Sequence, residues 1–299
     1  MASFPNSELR TPNLLVIIGE TASGKTSLAI DVAKRLNGEI ICADSSTVRR
    51  GANIGSAKPT EKEQQGVPHH LLSIIGPDEK YSAADFQQQA NMLIQDIAGR
   101  GKLPIIAGGT GLYIDSMLYD YEFRDEADPE ERDRLNTLTL GELLSEIKQQ
   151  GIELGETDTK NKHRLIRLLE TGGQQVAHKP LRENTFIIGI QLDRELLRAR
   201  IEQRVDAMLE QGLEREVKAL SGQYGWNCEA LKGVGYAQWQ DYFLSTQTLA
   251  ETHQKIIKAT MDLAKRQRTW FKRNKSIHWL NYPINREEVV DLVTTSLDK

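Results

Sequence analysis

Residues 14–30 read LLVIIGETASGKTSLAI, an aliphatic run that breaks into a glycine turn and resumes with an amphipathic period. The spacing predicts a strand over 14–18 and a helix over 26–36, with apolar Leu28, Ala29, Val32, Ala33 and Leu36 on one face and Asn37-Gly38 closing it. Between them Gly19-Glu20-Thr21-Ala22-Ser23-Gly24-Lys25-Thr26 fits G-x-x-x-x-G-K-[ST] in the strand-to-helix context that the pattern requires. Such a loop turns backbone N–H groups and the helix dipole toward an anion. Lys25 reaches a terminal phosphate, and the Thr26 hydroxyl can ligate Mg²⁺. The loop specifies phosphates and leaves their owner open: ATP is the default.

Outward from this stretch, strands are expected over 39–43, 71–75, 103–107, 185–192 and 276–280, with a helix over 83–98. The alternation points to a P-loop NTPase-like α/β fold, a parallel sheet covered by helices. Residues 120–184 break the rhythm. They are charged and helical in period (GELLSEIKQQ, HRLIRLLE), and are expected to form a helical insertion in a core made of 1–119 and 185–299. Residues 193–274 are almost wholly helical in pattern, so the C-terminal part is largely helical.

The 299 residues, 39% of them hydrophobic, can bury a sizeable core. No run approaches the roughly 20 apolar residues of a membrane helix, and a cytoplasmic protein is expected. Cys42 and Cys228 lack zinc or disulfide spacing and are expected to be core thiols. The net charge of −4 argues against a nucleic-acid binder, yet residues 255–275 carry eight Lys/Arg against Asp262 alone. Lys258, Lys265 and Lys272 recur at seven, with Arg268 and Lys275 at intervening three-residue steps. These five are expected to form a cationic stripe along one helical face, interrupted by Met261, that tracks a phosphodiester backbone. Trp270 and Phe271 would pack nearby.

Asp44 follows the second expected strand, where open α/β sheets present groups to their ligand crevice. It is a candidate general base, and equally a turn residue; Ser45 beside it could bond a ligand or the turn. Gly108-Gly109-Thr110-Gly111 follows the fourth strand and brings a second glycine turn to the same crevice. Arg200 with Arg204, and Arg164 with Arg167, could each meet an anion or a surface carboxylate. His69 and His70 are adjacent, so on a strand they face opposite ways and are expected to be structural.

GETASGKT, ADSS, GANIGSAKPT, VPHHLLSI, YSAADF, GGTGLY, ADPEER, HRLIRLLE, RIEQRVDAML, KGVGY and LAKRQRTWFKR, in this order over nearly the whole chain, resemble the tRNA dimethylallyltransferase family. The resemblance implies a P-loop core that transfers a dimethylallyl group from dimethylallyl diphosphate to N6 of adenosine 37, beside the tRNA anticodon. Loop residues Thr21 to Thr26 would then grip the donor's diphosphate with Mg²⁺ as counter-charge, and Asp44 would take a proton from the adenine amine. Thr110 would position base or diphosphate, and Arg204 would contact the departing diphosphate. Implied tRNA contacts are Asp44, Ser45, Ser46, Thr47 and Thr110; Arg132, His163, Arg164, Leu165, Ile166 and Arg167 in the insertion; and Lys232, Gly233, Val234, Gly235, Tyr236, Ala237, Lys258, Lys265 and Arg266. The chain is expected to work as a monomer. It departs from the family pattern at Glu20 (usually Pro), Thr47 (usually Gln), Arg49 (usually Tyr), Met261 (commonly Arg) and Ala237 (usually basic). A small-molecule P-loop kinase is the rival class, for Asp44 and the glycine turn also suit phosphoryl transfer. That class gives the basic helix and the insertion no purpose.

Overall fold

The computed structural model describes residues 13–123, 128–155, 157–173 and 179–297. The opening aliphatic run forms strand β1 (Leu14–Gly19), and the glycine loop leads into helix α1 (Lys25–Arg35). There follow β2 (Gly38–Ala43), a short α2 (Glu61–Gln64), β3 (His69–His70), α3 (Ala83–Gly99), β4 (Leu103–Gly108) and α4 (Gly111–Leu118). Next come α5 (Pro129–Thr137), α6 (Leu140–Gln149) and α7 (Lys162–Glu170). The chain continues through β5 (Thr185–Gln191), α8 (Arg194–Gln211), α9 (Leu213–Tyr224), α10 (Gln240–Phe243), α11 (Leu249–Phe271), β6 (His278–Asn281) and α12 (Arg286–Leu297).

The strands make one six-stranded parallel sheet in the order β3-β2-β4-β1-β5-β6. Every residue of β1 and β2 is buried, because helices cover both faces of the sheet. Val16, Ile18, Ile41 and Ile106 share a core with Phe86 and Ile94 of α3 and Ile114 of α4. Leu15, Ile17, Ile40 and Ile105 share another with Leu28 and Val32 of α1 and Val293 of α12. The chain leaves β1 toward β2 on one side and leaves β4 toward β5 on the other. Adjacent β1 and β4 therefore flank a topological switch point, where parallel sheets open a crevice at their carboxyl ends. Both glycine turns begin there.

Some local expectations are corrected. The third strand is His69–His70, upstream of 71–75, because Leu71 and Ser73 adopt left-handed φ of 64° and 53° and cannot extend. The last strand, expected over 276–280, forms as His278–Asn281. The two histidines engage different partners. His70 Nε2 lies 2.8 Å from Glu39 in an ion cluster with Arg100 and Lys102, whereas His69 Nδ1 donates to Val67 O at 2.8 Å. Both cysteines are buried free thiols. Among the described residues no helix is long and apolar enough to cross a membrane.

The described residues form two compact units, one within 1–120 and 181–299 and the other within 121–180. Residues 181–184, assigned by composition to the insertion, belong with the core: Arg182 donates its backbone N–H to Leu118 O at 2.7 Å and its guanidinium to Asn91 Oδ1 at 2.9 Å. The smaller unit has its own core of Leu135, Leu143, Ile147, Leu165, Ile166 and Leu169. Its helices start on Thr139, in a capping box with Glu142, and on Asn161, whose side chain accepts from Arg164 N–H. In the larger unit α8, α9 and α11 pack through Ile201, Val205, Val217, Ile257 and Ala264, around buried Trp239.

Candidate active site

The loop after β1 is shaped by two left-handed residues, Ala22 at φ 62° and Gly24 at φ 94°. Holding a non-glycine residue such as Ala22 there costs about 1 kcal/mol; within the turn the Ser23 N–H donates to Glu20 O at 3.2 Å. The first N–H groups of α1 lack intrahelical partners, which favours an anion there. Lys25 Nζ rests on Glu20 O at 3.4 Å. Burial withdraws its ammonium from water, only partly offset by the Asp44 carboxylate, and Arg204 adds repulsion; its pKa falls to about 8.

Helix α8 lays two arginines, one turn apart, along this loop. Arg204 Nη1 reaches Thr21 Oγ1 at 3.5 Å, and Arg200 Nη1 donates to Ser23 O at 3.3 Å while stacking on Tyr282 at 4.3 Å from the ring centre. Burial lowers the Arg204 pKa from its usual value, and a guanidinium keeps its proton regardless. This pair thus meets the phosphate loop.

Asp44 stands at the carboxyl end of β2, where it is the turn residue expected of it and also faces the cavity. Its Oδ1 accepts the Ser46 N–H at 2.9 Å, an Asx turn, while the carboxylate lines the crevice. Thr110 joins the two strand ends: its Oγ1 accepts Ser45 N–H at 3.0 Å, and its own N–H donates to Ala43 O at 3.2 Å. Gly108 makes this approach possible, since a Cβ there would sit 2.0 Å from Ala43 O. A cavity of about 870 Å³ results, with Thr21, Lys25, Thr26, Asp44, Thr47 and Arg204 in its walls.

Several expected contact residues turn inward. Leu165 and Ile166 are fully buried in the core of the insertion, so from that segment only His163, Arg164 and Arg167 offer side chains to a partner. Arg167 and Arg132 both bind Glu170, at 3.4 and 2.5 Å. Tyr236 is 1% exposed: its hydroxyl donates to Glu216 at 2.7 Å and accepts from Ser56 N–H at 3.1 Å. Glu216 also accepts N–H bonds from Asn53, Ile54 and Gly55, so Tyr236 and the buried Gly235 brace the 53–56 turn that borders the cavity. Gly233 and Val234 are half-buried, while Lys232 and Ala237 are exposed. Thr47 is 6% exposed, with its hydroxyl on Asp44 O at 3.3 Å. Arg49 is buried and donates to the carbonyls of Gly76, Pro77 and Glu79, which gives the buried cation its partners.

The cationic stripe is also corrected. Lys258 and Lys265 are exposed on α11 with Arg266 beside them, but Lys272 caps the helix and Lys275 lies beyond it. Arg268 faces the phosphate loop and pairs with Glu20. The sequence carried that signal. Arg268 falls four residues after Ala264 and three before Phe271, both buried, so it shares their inward face. Gln267, which lies within the LAKRQRTWFKR segment but carries no expected role there, bridges the two glycine turns.

A phosphate-loop motif, a carboxylate and a glycine turn gathered at the switch point of a parallel sheet define a P-loop enzyme-type core. Residues 47–274 match the profile of the family described as IPP transferase, and the chain belongs to that family. It is 42% identical over 279 residues to the tRNA dimethylallyltransferase of Anoxybacillus flavithermus, covering 90% of each chain. To that of Staphylococcus epidermidis it is 37% identical over 314 residues, covering 98% of this chain and 94% of the relative. The solved tRNA isopentenylpyrophosphate transferase of Bacillus halodurans superposes with a TM-score of 0.76 at 35% identity, over 96% of this chain and 97% of that one.

Proposed function

We propose that this chain transfers a dimethylallyl group from dimethylallyl diphosphate to N6 of adenosine 37 in the tRNA anticodon loop, releasing diphosphate. One observation carries the proposal: the cationic phosphate loop and the Asp44 carboxylate open on the same cavity. The N6 nitrogen attacks the allylic carbon, the carbon–oxygen bond to diphosphate breaks, and Asp44 accepts the N6 proton. Negative charge grows on the leaving oxygens, where loop N–H groups, Lys25 and Arg204 stabilise it as it forms. Thr110, bonded to the Asp44 turn, positions the base. An unpaired loop nucleotide leaves its stack cheaply to reach this cavity.

Mg²⁺, when bound, supplies counter-charge to the diphosphate. The exposed Thr26 hydroxyl at the start of α1 is a hard oxygen donor suited to it. Among the described residues no three His, Cys, Asp or Glu side chains gather to hold a metal, so oxygens of the diphosphate would complete the ligand set. The tRNA is contacted by Ser45 and Ser46 near the cavity, by His163 and Arg164 of the insertion, and by Lys232, Lys258, Lys265 and Arg266. The protein works as a cytoplasmic monomer.

Incubating the purified protein with unmodified tRNA, dimethylallyl diphosphate and Mg²⁺ should yield N6-dimethylallyl adenosine by mass spectrometry of the digested RNA. Absence of that nucleoside, together with ATP consumption on a small hydroxyl acceptor, would favour the kinase instead. Lys265→Glu, an exposed reversal, is expected to weaken tRNA binding about five- to tenfold and to flatten its salt dependence by one to two phosphate contacts. Filter binding at two salt concentrations checks this, and unchanged affinity would remove α11 from the RNA-binding surface.

A further inference from the structure

Glu20 raises a problem that its position in the loop alone would answer wrongly. A carboxylate one residue after the first loop glycine should repel the anion that the loop exists to bind. Instead it is 4% exposed, and both of its oxygens are taken by Arg268, from Nε and Nη2, each at 2.7 Å. The same Nη2 donates to Leu192 O at 2.8 Å, just past the end of β5. A two-pronged pair of this kind fixes orientation as well as neutralising charge.

The neighbouring residue of α11 continues the contact. Gln267 Oε1 accepts the Thr21 N–H at 2.8 Å, and its Nε2 donates to Gly109 O at 3.0 Å, so one side chain spans both glycine turns. Gly109 permits this, because a Cβ there would lie 2.3 Å from Gln267 Nε2. Trp270, one residue beyond Thr269, covers Gly111 and donates Nε1–H to Asp115 at 2.8 Å. Both turns of the site thus rest on one helix, whose opposite face bears exposed Lys258, Lys265 and Arg266.

We propose that the Glu20–Arg268 pair, extended by Gln267, is a positioning device that sets the phosphate loop against α11, so that Glu20 supports diphosphate binding through loop geometry. Arg268 counterbalances its charge. The inference rests on the phosphate-site reading of the loop and adds to it the residues that hold the loop in place.

The test is inorganic diphosphate binding to the full-length protein by calorimetry near neutral pH, alongside its melting temperature. Glu20→Gln keeps the shape and removes the charge. If the pair sets the loop, affinity of the folded variant falls about tenfold although a negative charge has been removed. Arg268→Lys keeps the charge but loses the two-pronged geometry, and is expected to fall about threefold, so either variant can decide the matter if the other fails to fold. In steady-state transfer both should raise the KM for dimethylallyl diphosphate more than they lower kcat. A purely stabilising pair would lower the melting temperature and leave diphosphate affinity unchanged. A carboxylate felt by the anion would make Glu20→Gln bind more tightly. Either result overturns the proposal. Wild-type protein that binds no diphosphate would overturn the phosphate-site reading itself, and the proposal with it.

Discussion

Replacing Asp44 by asparagine is expected to slow dimethylallyl transfer by about 10²–10⁴-fold, the usual contribution of a positioned base, with tRNA affinity unchanged within about twofold. The substitution is nearly isosteric. Asparagine's oxygen can still accept the Ser46 N–H that Asp44 Oδ1 now accepts at 2.9 Å, so the turn after β2 should persist. The tie from Ser45 N–H to Thr110 Oγ1, at 3.0 Å, is likewise independent of the carboxylate. What disappears is the capacity to take a proton from N6. Single-turnover transfer measured beside filter binding separates the two effects, and a variant within tenfold of wild-type rate would show that another group accepts the proton.

The Lys25→Ala substitution should weaken dimethylallyl diphosphate binding by about 100-fold or more, because a charge-assisted bond to a phosphate in a partly desolvated site is lost along with its Coulomb attraction. A pH signature accompanies it. In the free protein the Lys25 pKa is lowered to about 8, chiefly by burial. A bound anion favours the ammonium and raises that pKa again, so binding takes up a proton at pH values above about 8. Wild-type affinity should therefore decline as the pH rises from 8 toward 10, by at most about tenfold per unit, and Lys25→Ala should lose this dependence. Calorimetry with dimethylallyl diphosphate in buffers of different ionisation enthalpy counts the protons directly. Equal slopes for the two proteins would place the titrating group elsewhere.

The fate of Glu20 shows how far linear sequence reaches. Within the loop pattern it reads as a carboxylate facing an anion, and its neutralising partner lies 248 residues along the chain. Nothing within the loop announces Arg268. The period of α11 does, for the three- and four-residue spacing to Phe271 and Ala264 puts Arg268 on the buried side, even as the seven-residue recurrence of lysines suggests a solvated stripe. Charge and burial competed for that residue, and the ion pair allowed burial to prevail. Tyr236 is a comparable case. A tyrosine in a glycine-rich segment gives no local sign that its ring will fill the space left by Gly55, where any Cβ would meet the ring at 2.5 Å.

Features whose physics is contiguous were determined by the sequence alone. The aliphatic run of β1, the backbone turn that needs Gly24, the helix that follows that turn and the alternation that makes a parallel sheet all depend on neighbours within a few residues. The presence of a phosphate loop and the placement of Asp44 at a strand end belong to this class. Tertiary structure decided how the distant side chains meet the site and which partners they take there. Arg204, Arg200, Gln267 and Arg268 come from two helices distant in sequence, and which of their groups reach the loop depends on how those helices roll against the sheet. That roll is set by burying Ile201, Val205, Ala264 and Phe271, a balance summed over many apolar contacts and legible in no single segment.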